Sequence, residues 1–191
     1  MPLRKIATVG HPVLRQTARA LSLDELRQTT TQQLIDDLVN TMRDANGAGL
    51  AAPQIYESLA ICSIEVGNNP RYPYKPPIPL TVLVNPKLTP LSEIQFENYE
   101  GCLSVPGLRG RVRRYAEIRV QAWDRHGQPL DFEARGISAG TYQHEADHLA
   151  ATLFLDRVHD PRSLCTWEHF ETFEKPRFVQ EVQAIVARWG S

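Results

Sequence analysis

Two histidines four residues apart, His144 and His148, bracket a glutamate in the stretch Gln143-His144-Glu145-Ala146-Asp147-His148-Leu149. On a helix that spacing puts both imidazoles on one face, one turn apart, where they can grip one metal ion. Glu145 then stands roughly 60° around the helix from His148, near enough to reach a water at the ion without being a ligand. Two neutral nitrogen ligands and a carboxylate base are the parts of metal-assisted hydrolysis. A polar helix with two surface histidines gives the same pattern, so the third ligand decides. Cys102 is the best candidate, because it sits beside Gly101 in a turn between sheet elements from which a thiolate could face the helix. Cys165, in the tail, is a weaker one. A Cys-His-His set leaves a fourth position open, as catalytic sites do, and a dication deprotonates the thiol. A nucleophilic cysteine with a histidine base is the rival use of these residues, and it leaves Glu145 unexplained.

The rest of the chain must position these groups. At 191 residues it can bury a substantial single core, and the whole length 1–191 reads as one catalytic domain, with a helical tail from about 158. A formal net charge of −1 with 23% charged residues gives no sign of disorder and no electrostatic support for nucleic-acid binding. Three scattered cysteines make no disulfide framework, no apolar run approaches a membrane span, and cytoplasmic residence follows as the expectation. The basic N-terminal segment lacks an apolar stretch after its cations and reads as part of the fold, not as a transit peptide.

Ser22 and Glu25 have capping-box spacing, and Leu34, Ile35, Leu38, Val39 and Met42 recur with helical period, so a first helix is expected over about 24–45. Asp36, Asp37, Asn40 and Thr41 fall on its other face, and Asn46-Gly47 stops it. Strands are expected at 59–66, at 80–85 ending before Pro86, at 93–96 continuing the same sheet, and at 117–123 and 130–134 as a hairpin with His126 at its tip. The prolines of 67–79 predict an extended surface loop and exclude a central strand there. The metal-motif helix should span about 137–149, and Asp160-Pro161 should cap a helical tail interrupted near Lys175-Pro176. The fold class is α+β: antiparallel or mixed β-sheets packed around a central metal-binding helix carrying H-E-x-x-H, with a long N-terminal helix and a helical C-terminal tail.

Three stretches taken together resemble the peptide deformylases, which remove the N-terminal formyl group from nascent chains. They are Gly47-Ala48-Gly49-Leu50-Ala51-Ala52-Pro53-Gln54, Glu100-Gly101-Cys102-Leu103-Ser104 and Gln143 to Leu149. Gly10-His11-Pro12-Val13-Leu14-Arg15 and Ser104-Val105-Pro106-Gly107 extend the likeness over about residues 3 to 157. The resemblance implies that Cys102, His144 and His148 hold one divalent metal ion, natively Fe(II) in many members, with zinc, nickel or cobalt also able to bind. It implies Glu145 as general base and acid, and Gln54 with the Leu103 N–H as oxyanion donors. Gly49, flanked by Ala48 and Leu50, would bond the substrate backbone. Glu100, next to Gly101, would be buried behind the ligands, and Arg109 would meet the peptide further along. The implied substrate is a formyl-methionyl nascent peptide, met at the ribosome by a monomer. Gly140, where the family usually carries a bulky or arginine side chain, would widen the pocket for the leading side chain; Ala151 stands where the family commonly has glycine.

Two other readings stay open at this stage. A zinc endopeptidase of the H-E-x-x-H type needs a downstream histidine or glutamate, for which Glu168, His169 and Glu171 are the available cluster. A non-catalytic binding protein with a structural metal would have no need of Glu145 or Gln54.

Overall fold

The computed structural model describes residues 3–67 and 73–191. Among the described residues, eight strands form two antiparallel sheets. One has five strands in the order β1 (Gly49–Ala51), β2 (Ile61–Val66), β3 (Ile78–Pro90), β6 (Glu117–Trp123), β7 (Pro129–Arg135). The other has three, β4 (Gln95–Cys102), β5 (Val105–Tyr115) and β8 (Cys165–Thr166). Helix α3 (Gly136–Leu149) touches strands of both and carries the H-E-x-x-H motif, so the expected α+β arrangement around a central helix is the observed one.

The N-terminal helix is two helices. The Ser22–Glu25 capping box forms in both directions and starts α1 (Leu23–Arg27), but Gln28 is extended and α2 begins afresh at Thr29–Asp44. Three consecutive β-branched threonines, poor helix formers, follow the break. Asn46 takes the left-handed conformation at φ 51° and ends α2 as expected. On the polar face of α2, Asp37 and Thr41 are buried, because the N-terminal segment crosses that face. The Arg4 N–H donates to Thr41 Oγ1 at 3.0 Å, and the Arg4 guanidinium reaches Asp37 at 3.5 Å. The same segment ties two site loops together: the Ala7 N–H donates to the Gln54 carbonyl and the Val9 N–H to the Ser104 carbonyl, each at 2.7 Å.

Three strand expectations change. β3 starts at Ile78, inside the stretch read as loop, and passes Pro86 to reach Pro90. Asn85, at φ 52°, and Pro86 fall in a register shift between the Val84↔Trp123 and Lys87↔Gln121 pairs, so the missing proline N–H is not demanded by the ladder. Pro70 lies outside the described residues. The strand expected at 93–96 continues to Cys102, and it belongs to the second sheet because it pairs with β5, which the sequence reading did not find.

The tail is helical, but Pro176 does not interrupt it. Trp167–His169 (α4) runs through a π-helical turn, Phe170–Glu174, into α5 (Lys175–Trp189). A proline N–H is missing and its ring crowds the carbonyl four residues back, and the wider turn relieves both. Asp160 caps only the single turn Pro161–Ser163. Phe170, Phe178 and Val182 bury against Tyr99 and Ile137, so the tail packs on β4 and α3. Its last residue meets the start of α3: the Ile137 N–H donates to the Ser191 carbonyl at 3.0 Å. That satisfies a helix-end donor where the N-cap, Arg135, supplies no side-chain bond.

Candidate active site

The β4–β5 hairpin presents Cys102 to α3. The register slips between Glu100 and Cys102, at Gly101, and the Arg109 side chain fills the space a Cβ there would need, approaching within 2.8 Å. Cys102 Sγ lies 3.3 Å from His148 Nε2, and one ligand atom from each of Cys102, His144 and His148 falls within 4.8 Å of the others. This is the one such group found among the described residues. Glu100 Oε2 holds His144 Nδ1 at 2.8 Å, which orients the ring and leaves Nε2 for ligation.

Behind Glu100 stands a residue the sequence reading missed. Arg114, 2% exposed, donates from Nε and Nη2 to both Glu100 oxygens at 2.8 Å, and from Nη1 to Asp147 at 2.6 Å. Asp147 also takes Arg157, so a buried chain of charges runs from His144 to the surface. Asp147 is therefore a salt-bridge residue, and Glu100 faces the histidine and Arg114 from behind the ligands. The strand register places Arg114 there: Phe96 pairs with Arg114 and Asn98 with Val112, along the face that carries Glu100 opposite Gly110.

Glu145 is 4% exposed and lies against the glycine wall, where a Cβ on Gly49 would come within 2.3 Å of its Oε1. Its Oε2 is buried without a protein partner. Gln54 is clamped at its carbonyl end by the Ala51 N–H at 2.8 Å, so its Nε2 points at Ser104 Oγ, 3.0 Å, and Cys102 Sγ, 3.5 Å. Gly47, Ala48, Gly49, Gln54, Leu103, Arg109, Gly140, His144 and Glu145 line one cleft with Cys102. Leu50 is buried in the core, one residue along β1. Gly140 lines this cleft, and a Cβ there would meet Phe96 at 3.2 Å and Asn98 at 3.5 Å. Arg109 is buried under the tail, its guanidinium 4.3 Å from the centre of the Trp167 ring. Trp167 was also missed, since its place depends on β8 pairing with Leu108 and Arg109.

The electrostatics favour a cation. Burial pushes the Cys102 thiol up, but the charge of His148 and hydrogen bonds from both histidines outweigh it and hold the thiol well below its ordinary range. Burial pulls His144 down, and the Cys102 and Glu100 charges and hydrogen bonds more than reverse this, raising it well above the ordinary imidazole value. Burial raises Glu145, against the opposing charges of His144 and His148. A pocket that draws protons onto imidazole, and joins thiolate and two imidazoles with an orphaned carboxylate oxygen beside them, suits a divalent ion with one open position. Cys165 and the Glu168, His169, Glu171 cluster belong to the tail and are not in this group. Cys62 is buried in the sheet, His126 is exposed at the hairpin tip as expected, and His159 and His169 are exposed.

These features define a metal-dependent hydrolase site. The polypeptide deformylase family model matches residues 3–163. Peptide deformylase 1 of Nitrosomonas europaea is 43% identical over 160 residues, covering 84% of this chain and 90% of the relative. Two crystal structures of the class I type b peptide deformylase of Acinetobacter baumannii superpose with a TM-score of 0.79. One is bound to K4U, with 35% identity over 83% of this chain and 99% of that one. The other is bound to Met-Ala-Ser, with 36% identity over 82% and 99%. The chain belongs to the peptide deformylase family, enzymes that remove the N-terminal formyl group from peptides. The endopeptidase and non-catalytic readings are thereby set aside. No helix among the described residues is long and apolar enough to cross a membrane.

Proposed function

We propose that the chain hydrolyses the formyl amide of formyl-methionyl peptides with Glu145 as the proton carrier. The observation that carries this is the unpartnered Glu145 Oε2, buried between the Cys102, His144, His148 set and Gly49. Those three residues would hold one divalent ion, which supplies Lewis acidity and makes water nucleophilic near neutral pH. Glu145, its affinity for a proton raised by burial, takes the proton of the attacking water and returns it to the leaving amine. Gln54 Nε2 and the Leu103 N–H receive the negative charge that develops on the formyl oxygen. The clamp from Ala51 means Gln54 is already aimed before the substrate arrives. Gly49 offers backbone bonds to an extended peptide entering along Ala48 to Leu50, and Arg109 meets it further out.

The Met-Ala-Ser carried by the Acinetobacter baumannii relative supports a peptide of this kind as the ligand here. Fe(II) is the proposed native ion, with zinc, nickel or cobalt as substitutes, since thiolate and imidazole ligands suit each. The whole chain acts as one catalytic domain, a cytoplasmic monomer working on nascent chains at the ribosome. Metal analysis of anaerobically purified protein, coupled to formate release from formyl-Met-Ala-Ser, tests the reading. One equivalent of iron and activity that fades in air are expected; equal persistence in air overturns iron, and absence of formate release overturns the reaction.

A further inference from the structure

The side chains of Cys102 and Gln54 meet at a residue with no role in the reaction so far, Ser104. It is 0% exposed and does not line the cleft, so it can act on the chemistry only through its neighbours. Gln54 Nε2 donates to Ser104 Oγ at 3.0 Å and lies 3.5 Å from Cys102 Sγ, while the Ser104 N–H donates to the same sulfur at 3.4 Å. The spacing of Gln54 and Ser104 is set from outside the cleft. Ala7 and Val9, two residues apart on the N-terminal segment, donate from their N–H groups to the Gln54 and Ser104 carbonyls. Both backbone groups of Ser104 are therefore engaged, its N–H with the ligand thiolate and its carbonyl with the N-terminal segment. The hydroxyl is what it offers to the Gln54 amide.

We propose that Ser104 is a positioning residue for the hydrolysis: its hydroxyl takes one hydrogen of the Gln54 amide and thereby aims the other at the oxygen on which negative charge develops. The proposal rests on the deformylase reading of the same site. The last torsion of a carboxamide side chain is broad, so the Ala51 N–H bond to Gln54 Oε1 alone leaves the amide plane able to swing. A second bond, at Nε2, fixes the plane. Nε2 carries two hydrogens, and with one held by Ser104 Oγ the other has a single direction, toward the Cys102 side of the cleft. A donor aimed before the charge appears costs no reorganisation when it does. Without the hydroxyl the amide can turn, and the Cys102 thiolate, an anionic acceptor, competes with the formyl oxygen for its hydrogens.

The test is a double-mutant cycle of Ser104→Ala and Gln54→Leu in the full chain, with formate release from formyl-Met-Ala-Ser measured on the iron-loaded protein and the Gln54 amide followed by NMR on the zinc-loaded protein. Ser104→Ala should lower kcat by about three- to ten-fold, the worth of one neutral hydrogen bond, with KM and metal content unchanged. In Gln54→Leu, which has no amide to orient, the same substitution should change kcat by less than about two-fold. Independently of turnover, one Gln54 Nε2 hydrogen should be protected from solvent exchange in the unaltered protein, and that protection should be lost in Ser104→Ala. Equal losses of kcat in both backgrounds, loss of metal in Ser104→Ala, or unchanged protection there would overturn the positioning role while leaving the deformylase reading intact. No formate from the unaltered protein would overturn both.

Discussion

Helix α3 has two unlike neighbours. Toward the five-stranded sheet it buries Ala139, Tyr142 and Leu149 among Cys62, Ile64, Leu83, Ile118 and Val120, an ordinary apolar core. Toward the three-stranded sheet it sets half-buried His144 and buried Asp147 and His148 among Glu100, Arg114 and Cys102, a core of charges. One helix thus draws its stability from dispersion and water exclusion on one side, and on the other holds groups that must be paired to be buried at all. The pairing is what gives the ligands their orientation. The two sides should therefore respond to substitution in opposite ways: the charged side by abrupt loss, the apolar side by graded loss.

The largest expected effect is at Arg114. Arg114→Met leaves Glu100 and Asp147 without their shared partner and should cost about 3–5 kcal/mol in denaturant titration. The pH dependence sharpens this. With Arg114 present, Glu100 is held far below the ordinary carboxylate range: burial raises it, but the Arg114 charge and hydrogen bonds and the His144 bond outweigh burial. Its stabilisation is therefore complete above the unfolded value, near about 4.3, and is lost only as pH falls through the depressed folded value. Without Arg114, burial dominates and the folded protein favours protonated Glu100, so the variant's deficit should shrink as pH falls from 7 toward about 4.5. A deficit that grows over that range would break the assignment.

Gln54→Leu should leave the fold and metal content intact while lowering kcat by about 10²- to 10³-fold, the usual loss of one oxyanion donor. On the apolar side, Ile64→Val should cost about 0.5–1.5 kcal/mol without altering metal content or turnover. The smallest effect should come from Ala151, which sits at φ 59° just beyond α3. Ala151→Gly relieves left-handed strain at some cost in chain entropy and should change stability by less than about 1 kcal/mol, measured by thermal melting.

The same contrast explains what could be read in advance. Glu145 and two of the ligands were legible because helix period alone puts His144 and His148 on one face, and the five-stranded sheet announced itself by the apolar run of β2 and the alternation of β6. β5 was not legible, since Leu108-Arg109-Gly110-Arg111-Val112-Arg113-Arg114 looks like a solvated basic stretch. Arg109 and Arg114 are buried only because Trp167, Glu100 and Asp147 meet them from 33 or more residues away or from the partner strand. The neighbour a side chain at Gly140 would meet, Phe96, lies on a strand whose register no local pattern sets. Local period reveals ligands; it does not reveal what supports them.

The central claim is that Glu145 moves the proton while Cys102, His144 and His148 hold the ion. Glu145→Ala, purified anaerobically, should keep one equivalent of metal and lose formate release by about 10²- to 10⁴-fold, the range for a general acid–base group. Metal retained with full turnover would contradict the account.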